Sequence, residues 1–519
     1  MYRKNPFGNP DGAQATIEDL RKEFIDVVPP SAAVGGVGDD FTITRFIVGS
    51  KGSGKTHYIH MLRNRIKEKN LDNEQSTYIS NVENSCAGTD QVIRFSHFFH
   101  HNILNEKWKM IWVHAVYAAV ISHILNDSNL VQRISGEEHG LLIGGLRAVG
   151  LTYDCKMGIY DYIIQILYIN DTKNKVDSFI HNKEWNKLVS ILKNSVLRKL
   201  PPMYFFLDSI DEDFEHAPQY WLKCQKSAFC AVSSLLKEQT IREKIHVVLC
   251  IRDTVFASIR RSEHQTKITN ETHVLRLHWN YNTLTYFMNQ KIKNLNNCYF
   301  LSLTGAEKSI KTWLGIDSIH NIVRDCDENI TNYILRHTRS VPRDVINICN
   351  SLAQIKMMAV ENPDLDIPNE IRRRVANCAK EIGDELITIC AKQIAIDEIP
   401  VGAAKYQYEA AYTSVDDYSF SRFLKIKQVL SDFNKDTFSL HELDQIANRA
   451  NELFERDAHI INILWMNGVL GYLQNGEAVF YLNHNSISTD IPRNHDKYVL
   501  RSCMIDSVEL SDLGKVPIR

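Results

Sequence analysis

No CxxC pair occurs among the eleven cysteines, which are scattered from Cys86 to Cys503, several in apolar surroundings such as VVLCIR around Cys250. That pattern excludes a disulfide framework or a clustered zinc site and suits reduced, buried thiols in a cytoplasmic protein. The opening residues, MYRKNPFGNPDG, have no apolar core, so no secretory signal is expected. No apolar stretch reaches the ~20 residues of a membrane span. The longest, MIWVHAVYAAVISHIL from Met110 to Leu125, contains His114 and His123 and reads as a buried helix, with no membrane partner. Charge of one sign is also lacking: 60 Lys plus Arg stand against 62 Asp plus Glu, for a net charge of −2. Any nucleic-acid contact would therefore need a local basic patch.

What is present is the composition of an ordinary globular chain, 44% hydrophobic, 24% charged and 9% aromatic, and 519 residues call for several packed units. Residues 1–40 read as an N-terminal arm, NPFGNPDGAQ, and a helix that opens at Thr16 with Asp19 as its capping partner. Pro29, Pro30 and VGGVG break that helix. FTITRFIV, Phe41 to Val48, is mostly β-branched or apolar and predicts a buried strand, with a helix following Lys55. From about Asn81 to Lys199 the chain reads as helical. Its HFFHH cluster (His97, His100, His101) has no carboxylate or thiol beside it and is expected to be a solvated turn. Two further apolar strands, MYFFLD ending at Asp208 and IHVVLCIR ending at Arg252, flank an expected helix, which is the grammar of a parallel sheet with crossover helices.

Helices return from Thr283 to Ala359, and the basic run Arg372, Arg373 and Arg374 lies on a long helix after ENPDLDIP. FSLHELDQIANRA and DAHIINILWMNG read as helices before GVLGYLQNGEAVFYL, whose Asn475-Gly476 pair predicts a hairpin. The expected fold is thus α/β: a P-loop parallel sheet over residues 41–282 with a helical insertion at about 95–199, a helical lid at 283–360, a helical linker at 361–410, and a winged-helix-like domain at 411–519.

GSKGSGKT, comprising Gly49, Ser50, Lys51, Gly52, Ser53, Gly54, Lys55 and Thr56, satisfies GxxxxGK[ST] between the expected strand and helix. Glycines let successive backbone N–H groups point into one cavity, where they and the helix N-terminus hold phosphate oxygens. Lys55 adds a point charge at the β- and γ-phosphates, and the Thr56 hydroxyl is a hard ligand for Mg²⁺. Such a loop needs a second carboxylate for the metal, and Asp208, after four apolar residues in YFFLDSIDE, is the candidate. The next residue is Ser209 where a water-polarising Glu is frequent, which leaves that role to Asp211 or Glu212. Arg252, ending a strand expected beside the Asp208 strand, and Arg343, in TRSVPRD at the start of a helix, are candidates to sense or stabilise phosphate charge. Arg260 and Arg261 are candidates to reach a neighbouring subunit's nucleotide. Surface salt bridges are the alternative for all four arginines.

Together GSKGSGKT, FFLDSID, the strand ending in CIRD, HVLRLHWNYNTLTYFMNQKI, SVPRD and the C-terminal hairpin resemble the AAA+ superfamily, and within it the origin-recognition-like and STAND-type ATPases. The resemblance implies bound ATP and Mg²⁺, with Arg252 at the sensor 1 position and Arg343 at sensor 2. LHWNYNTL around Trp279 is similar to a leucine–tryptophan turn these proteins carry before the lid. An NPFG arm ahead of the loop is similar to bacterial ATPases that accompany effector proteins in anti-phage defence. A regulatory ATPase that forms homo-oligomers and controls a separate effector is what that likeness implies. Two other functions compete: a nucleic-acid loader reading DNA through the winged helix, although ERDAHIINILWMNG offers only Arg456 and His459 as cations, and a P-loop small-molecule kinase.

Overall fold

A computed structural model of the protein describes residues 3–10, 24–25, 44–72, 77–84, 89–154, 157–208, 218–260, 273–302, 307–322, 324–398, 407–481 and 490–513. The helix expected from Thr16, the Pro29–Pro30 break, Asp211, Glu212 and Arg261 lie outside the described residues. The chain divides into two compact units. One comprises Pro29–Gly49 and Lys55–Arg276; the other comprises Met1–Val28, Ser50–Gly54 and Leu277–Arg519.

The first unit is α/β. Its strands are β1 (Phe46–Val48), β2 (Tyr78–Glu83), β3 (Met203–Leu207), β4 (Ile245–Ile251) and β5 (Val274–Arg276), in the order β2-β3-β4-β1-β5. Every pairing is parallel. β1, β3 and β4 are buried along their whole length, as almost wholly apolar runs with both faces covered must be. The two edge strands are only partly buried. Helix α1 (Lys55–Asp72) follows β1. The described part of the crossover from β2 to β3 is mostly helical and includes α2 (His101–Asn126) and α3 (Ile159–Ile169). α4 (Pro218–Leu235) links β3 to β4, and α5 (Asp253–Arg260) follows β4.

α2 is the apolar helix anticipated around Met110, but it is longer than the apolar run. Residues Ile103–Asn126 are long and apolar enough to cross a membrane by length and composition, and 78% of the most apolar window is buried within the protein. Its neighbours account for that burial. α2 packs against α3 and α4, and the Trp112 indole donates to the Cys224 carbonyl at 3.1 Å.

The second unit is mostly helical, with α6 (Tyr281–Asn294), α7 (Pro342–Leu352), the long α8 (Ile367–Glu398) and α9 (Gln407–Phe433). An antiparallel pair, β6 (Ser318–Asn321) and β7 (Cys326–Asn329), stands apart from its second sheet. That sheet is antiparallel: β8 (Thr437–Phe438), β9 (Leu470–Gln474), β10 (Glu477–Phe480) and β11 (Tyr498–Leu500), in the order β10-β9-β11-β8. The Asn475-Gly476 hairpin joins β9 to β10, with φ of 54° and 82° at its two central residues, as a tight primed turn requires. α10 (Leu440–Phe454), α11 (Ile460–Met466) and α12 (Cys503–Val508) complete the unit. The N-terminal arm belongs here as well. Phe7 packs on Trp313 with ring centroids 4.7 Å apart, and Asn350 brackets the arm by accepting from Phe7 N–H at 2.9 Å and donating to the Gly8 carbonyl at 3.0 Å. No disulfide joins the described cysteines.

Candidate functional site

The glycine-rich segment connects β1, which ends at Val48, to α1, which begins at Lys55. Its first residue is tied to the sheet, since Gly49 N–H donates to the Ile251 carbonyl of β4 at 3.2 Å. Gly52 and Gly54 have φ of 84° and 94°, and Ser53 N–H closes a turn on the Ser50 carbonyl at 3.2 Å. Lys55 is the first residue of α1, where helix N–H groups have no intrahelical partner and the dipole is positive. Its ammonium folds back to the Gly49 carbonyl at 3.1 Å. Thr56 follows it on the same turn and is partly exposed.

In the α/β unit, the parallel strands bring Gly49, Asp208 and Arg252 to one edge of the sheet, with β4 and its Arg252 between β1 and β3. Asp208 is held by its backbone: its N–H donates to the Glu83 carbonyl at 2.8 Å and its own carbonyl accepts the Tyr160 hydroxyl at 3.1 Å. The side chain is different. Asp208 is 2% exposed, and its Oδ2 is buried with no hydrogen-bond partner. A buried carboxylate oxygen without a donor costs free energy unless a cation or water satisfies it.

Titratable neighbours surround this edge. Burial lowers the pKa of His60 on α1, while the charge of Asp208 pulls it back up. Burial pushes the Asp253 carboxyl up, with Lys55 and Arg252 acting against the shift. Glu83, at the end of β2, is pushed up to about 8 by burial, the N–H groups of Tyr160 and Ile159 opposing.

In the helical unit, Ser50–Gly54 is packed by named side chains. The Trp279 indole donates to the Ser53 carbonyl at 3.0 Å, and Arg343 N–H donates to the Gly52 carbonyl at 3.3 Å. Gly52 suits this close packing, because a Cβ there would stand 3.1 Å from Arg343 Cβ and 3.3 Å from Val341 Cγ2. The Ser53 hydroxyl is buried without a partner. Lys51 Nζ lies 3.1 Å from Glu385 on α8; Glu385 meets Arg339 at 2.8 Å; Arg339 forks onto Asp344 at 2.7 and 2.9 Å. Burial opposes ionisation of Glu385, but Arg339 and Lys51 overcome it and hold the carboxyl below its usual range. The Arg343 guanidinium donates from Nε to the Pro10 carbonyl of the N-terminal arm at 3.1 Å.

No family model matches the chain, and no curated protein matches it.

Among the described residues, no three His, Cys, Asp or Glu side chains converge as metal ligands. A magnesium site on a triphosphate needs no such cluster, because Mg²⁺ keeps several waters and takes one or two protein oxygens plus phosphate. The unpartnered Asp208 Oδ2 is a hard oxygen of the type Mg²⁺ takes. Of the other candidates, Arg260 is the last residue of α5, and Asp211, Glu212 and Arg261 have no described position. Sequence reasoning passed over Asp253, Glu385, Glu83 and Tyr160. Asp253 had a signal, standing next to Arg252 in CIRD; the others had none.

Proposed function

We propose that this chain is a Mg²⁺-dependent, ATP-binding regulatory ATPase of the AAA+ kind, with a P-loop at Gly49–Thr56. The observation that carries the reading is the buried, unpartnered carboxylate oxygen of Asp208 at the same sheet edge as Gly49, from which the loop sets out. In this reading the loop N–H groups and Lys55 would hold the β- and γ-phosphates, and Thr56 and Asp208 would hold the cation, which would supply charge neutralisation for phosphoryl transfer. Arg252, at the end of β4, and Arg343, beside Gly52, respond to that charge. Attack by water yields ADP and phosphate. Asp211 or Glu212 is the base.

In this reading residues 283–360 are the helical lid, and α10, α11 and the β8–β11 sheet form a winged-helix-like module. The likeness to STAND-type ATPases extends the proposal to homo-oligomer assembly and control of a separate effector, including a role in anti-phage defence; this part rests on the likeness alone. Groove reading by the module is disfavoured. α11 buries Ile460, Ile461, Ile463, Leu464 and Trp465, Arg456 donates to the Ile394 carbonyl at 3.3 Å, and Arg373 and Arg374 are drawn to Glu370 at 2.6 and 2.7 Å.

The test is phosphate release with no acceptor added. Turnover should require Mg²⁺ and fall by roughly two orders of magnitude in Asp208→Asn, matching the several kcal/mol of charge stabilisation a metal supplies. Equal rates in wild type and Asp208→Asn would remove the assignment.

A further inference from the structure

The helical crossover between β2 and β3 does more than fill space beside the sheet. Its helix α3 begins against the carboxyl ends of both strands. Tyr160, the second residue of α3 and 4% exposed, makes two bonds there: its backbone N–H donates to Glu83 Oε2 at 3.2 Å, and its hydroxyl donates to the Asp208 carbonyl at 3.1 Å. Asp208 N–H in turn donates to the Glu83 carbonyl at 2.8 Å, which closes a ring of three bonds through Tyr160, Glu83 and Asp208. The approach is tight. A Cβ on Gly158, just ahead of α3, would fall 2.3 Å from the Glu83 carboxylate and would have to displace it. The start is fixed locally too, with Gly158 N–H donating to Asp161 Oδ2 at 2.8 Å and the Trp112 ring meeting Tyr160 edge-on at 5.9 Å.

We infer that Tyr160 is a positioning residue for Asp208: the inserted helix aims the metal-binding carboxylate through a hydrogen bond to its backbone carbonyl. The inference rests on the reading of Asp208 as the Mg²⁺ acid. Both ends of the Asp208 peptide are anchored, one by Glu83 and one by Tyr160, while the side chain is left unsatisfied at Oδ2. A pre-aimed carboxylate of this kind spares the cation the cost of ordering it.

The experiment compares ATP affinity in Mg²⁺ and in EDTA, by calorimetry on the full chain, for wild type, Tyr160→Phe and Asp208→Asn, with melting of each sample alongside. Tyr160→Phe keeps the ring and removes one hydrogen bond. It should leave affinity in EDTA unchanged and cut the tightening that Mg²⁺ produces by roughly two- to tenfold, the range of one net hydrogen bond. Unchanged Mg²⁺ tightening overturns the inference whatever the melting temperature does, because a merely structural role moves stability and not metal dependence. An equal loss in EDTA and in Mg²⁺ overturns it as well. If Asp208→Asn itself leaves the Mg²⁺ response intact, the reading beneath the inference fails and takes the inference with it; if only Tyr160→Phe is silent, the reading stands and the inference alone falls.

Discussion

Replacing Gly52 with alanine tests how tightly the glycine-rich loop is packed. Two costs add. An L residue at φ 84° pays about 1–2 kcal/mol of left-handed strain, and the new methyl meets Arg343 Cβ at 3.1 Å and Val341 Cγ2 at 3.3 Å, an overpacking worth about 1–3 kcal/mol. Gly54 supplies the control. Its φ is 94°, but a Cβ there has nothing within 4 Å, so Gly54→Ala should pay only the strain, about 1–2 kcal/mol. Guanidinium unfolding of the two variants therefore isolates the contact: Gly52→Ala should lose roughly 2–5 kcal/mol, clearly more than Gly54→Ala. Pairing Gly52→Ala with Val341→Ala should cost less than the sum of the two single losses, because the two sites share one contact. Equal losses at Gly52 and Gly54, or strict additivity with Val341→Ala, would refute the reasoning.

Three further outcomes are expected. Asp436→Ala should cost about 1.5–3 kcal/mol in denaturant unfolding, because it removes a charge-assisted hydrogen bond from Arg324, whose guanidinium meets Asp436 at 2.6 Å with both side chains 1% exposed. Glu385→Gln should tighten ATP binding a few-fold, since it releases Lys51 from a half-exposed ion pair worth about 0.2–1 kcal/mol; weaker binding in calorimetry would contradict that. Glu138, bonded to Lys199 and Ser195, is held down to about 2, below its ordinary value of 4.5. A depressed carboxyl stabilises the fold above its unfolded pKa, and that contribution fades as pH falls from about 4.5 through about 2, so Glu138→Gln should flatten acid unfolding over that window.

The residues that announced themselves in the sequence were those whose environment is local or uniform. β1, β3 and β4 are almost wholly apolar runs because both faces are covered, and their parallel pairing follows from the helices between them. The Asn475-Gly476 hairpin is set by two residues that tolerate positive φ. β2 and β5 stayed hidden for the opposite reason: YISNVE at one edge of the sheet is half solvated and carries Ser80 and Asn81, and β5 has three residues. Tyr160 and Glu385 could not be found at all. Each acts on a residue far away in the chain, Tyr160 on Asp208 and Glu385 on Lys51, and long-range pairing leaves no periodic trace.

The central claim is that Gly49–Thr56 grips a triphosphate, and titration of ATP and Mg²⁺ into the wild-type chain and Lys55→Ala in a calorimeter tests it most directly. The account predicts saturable binding in wild type, weakened roughly 10- to 100-fold by loss of the Lys55 ammonium, as removal of charge-assisted hydrogen bonds implies. No heat of binding in the wild type, or the same affinity in both proteins, would contradict it.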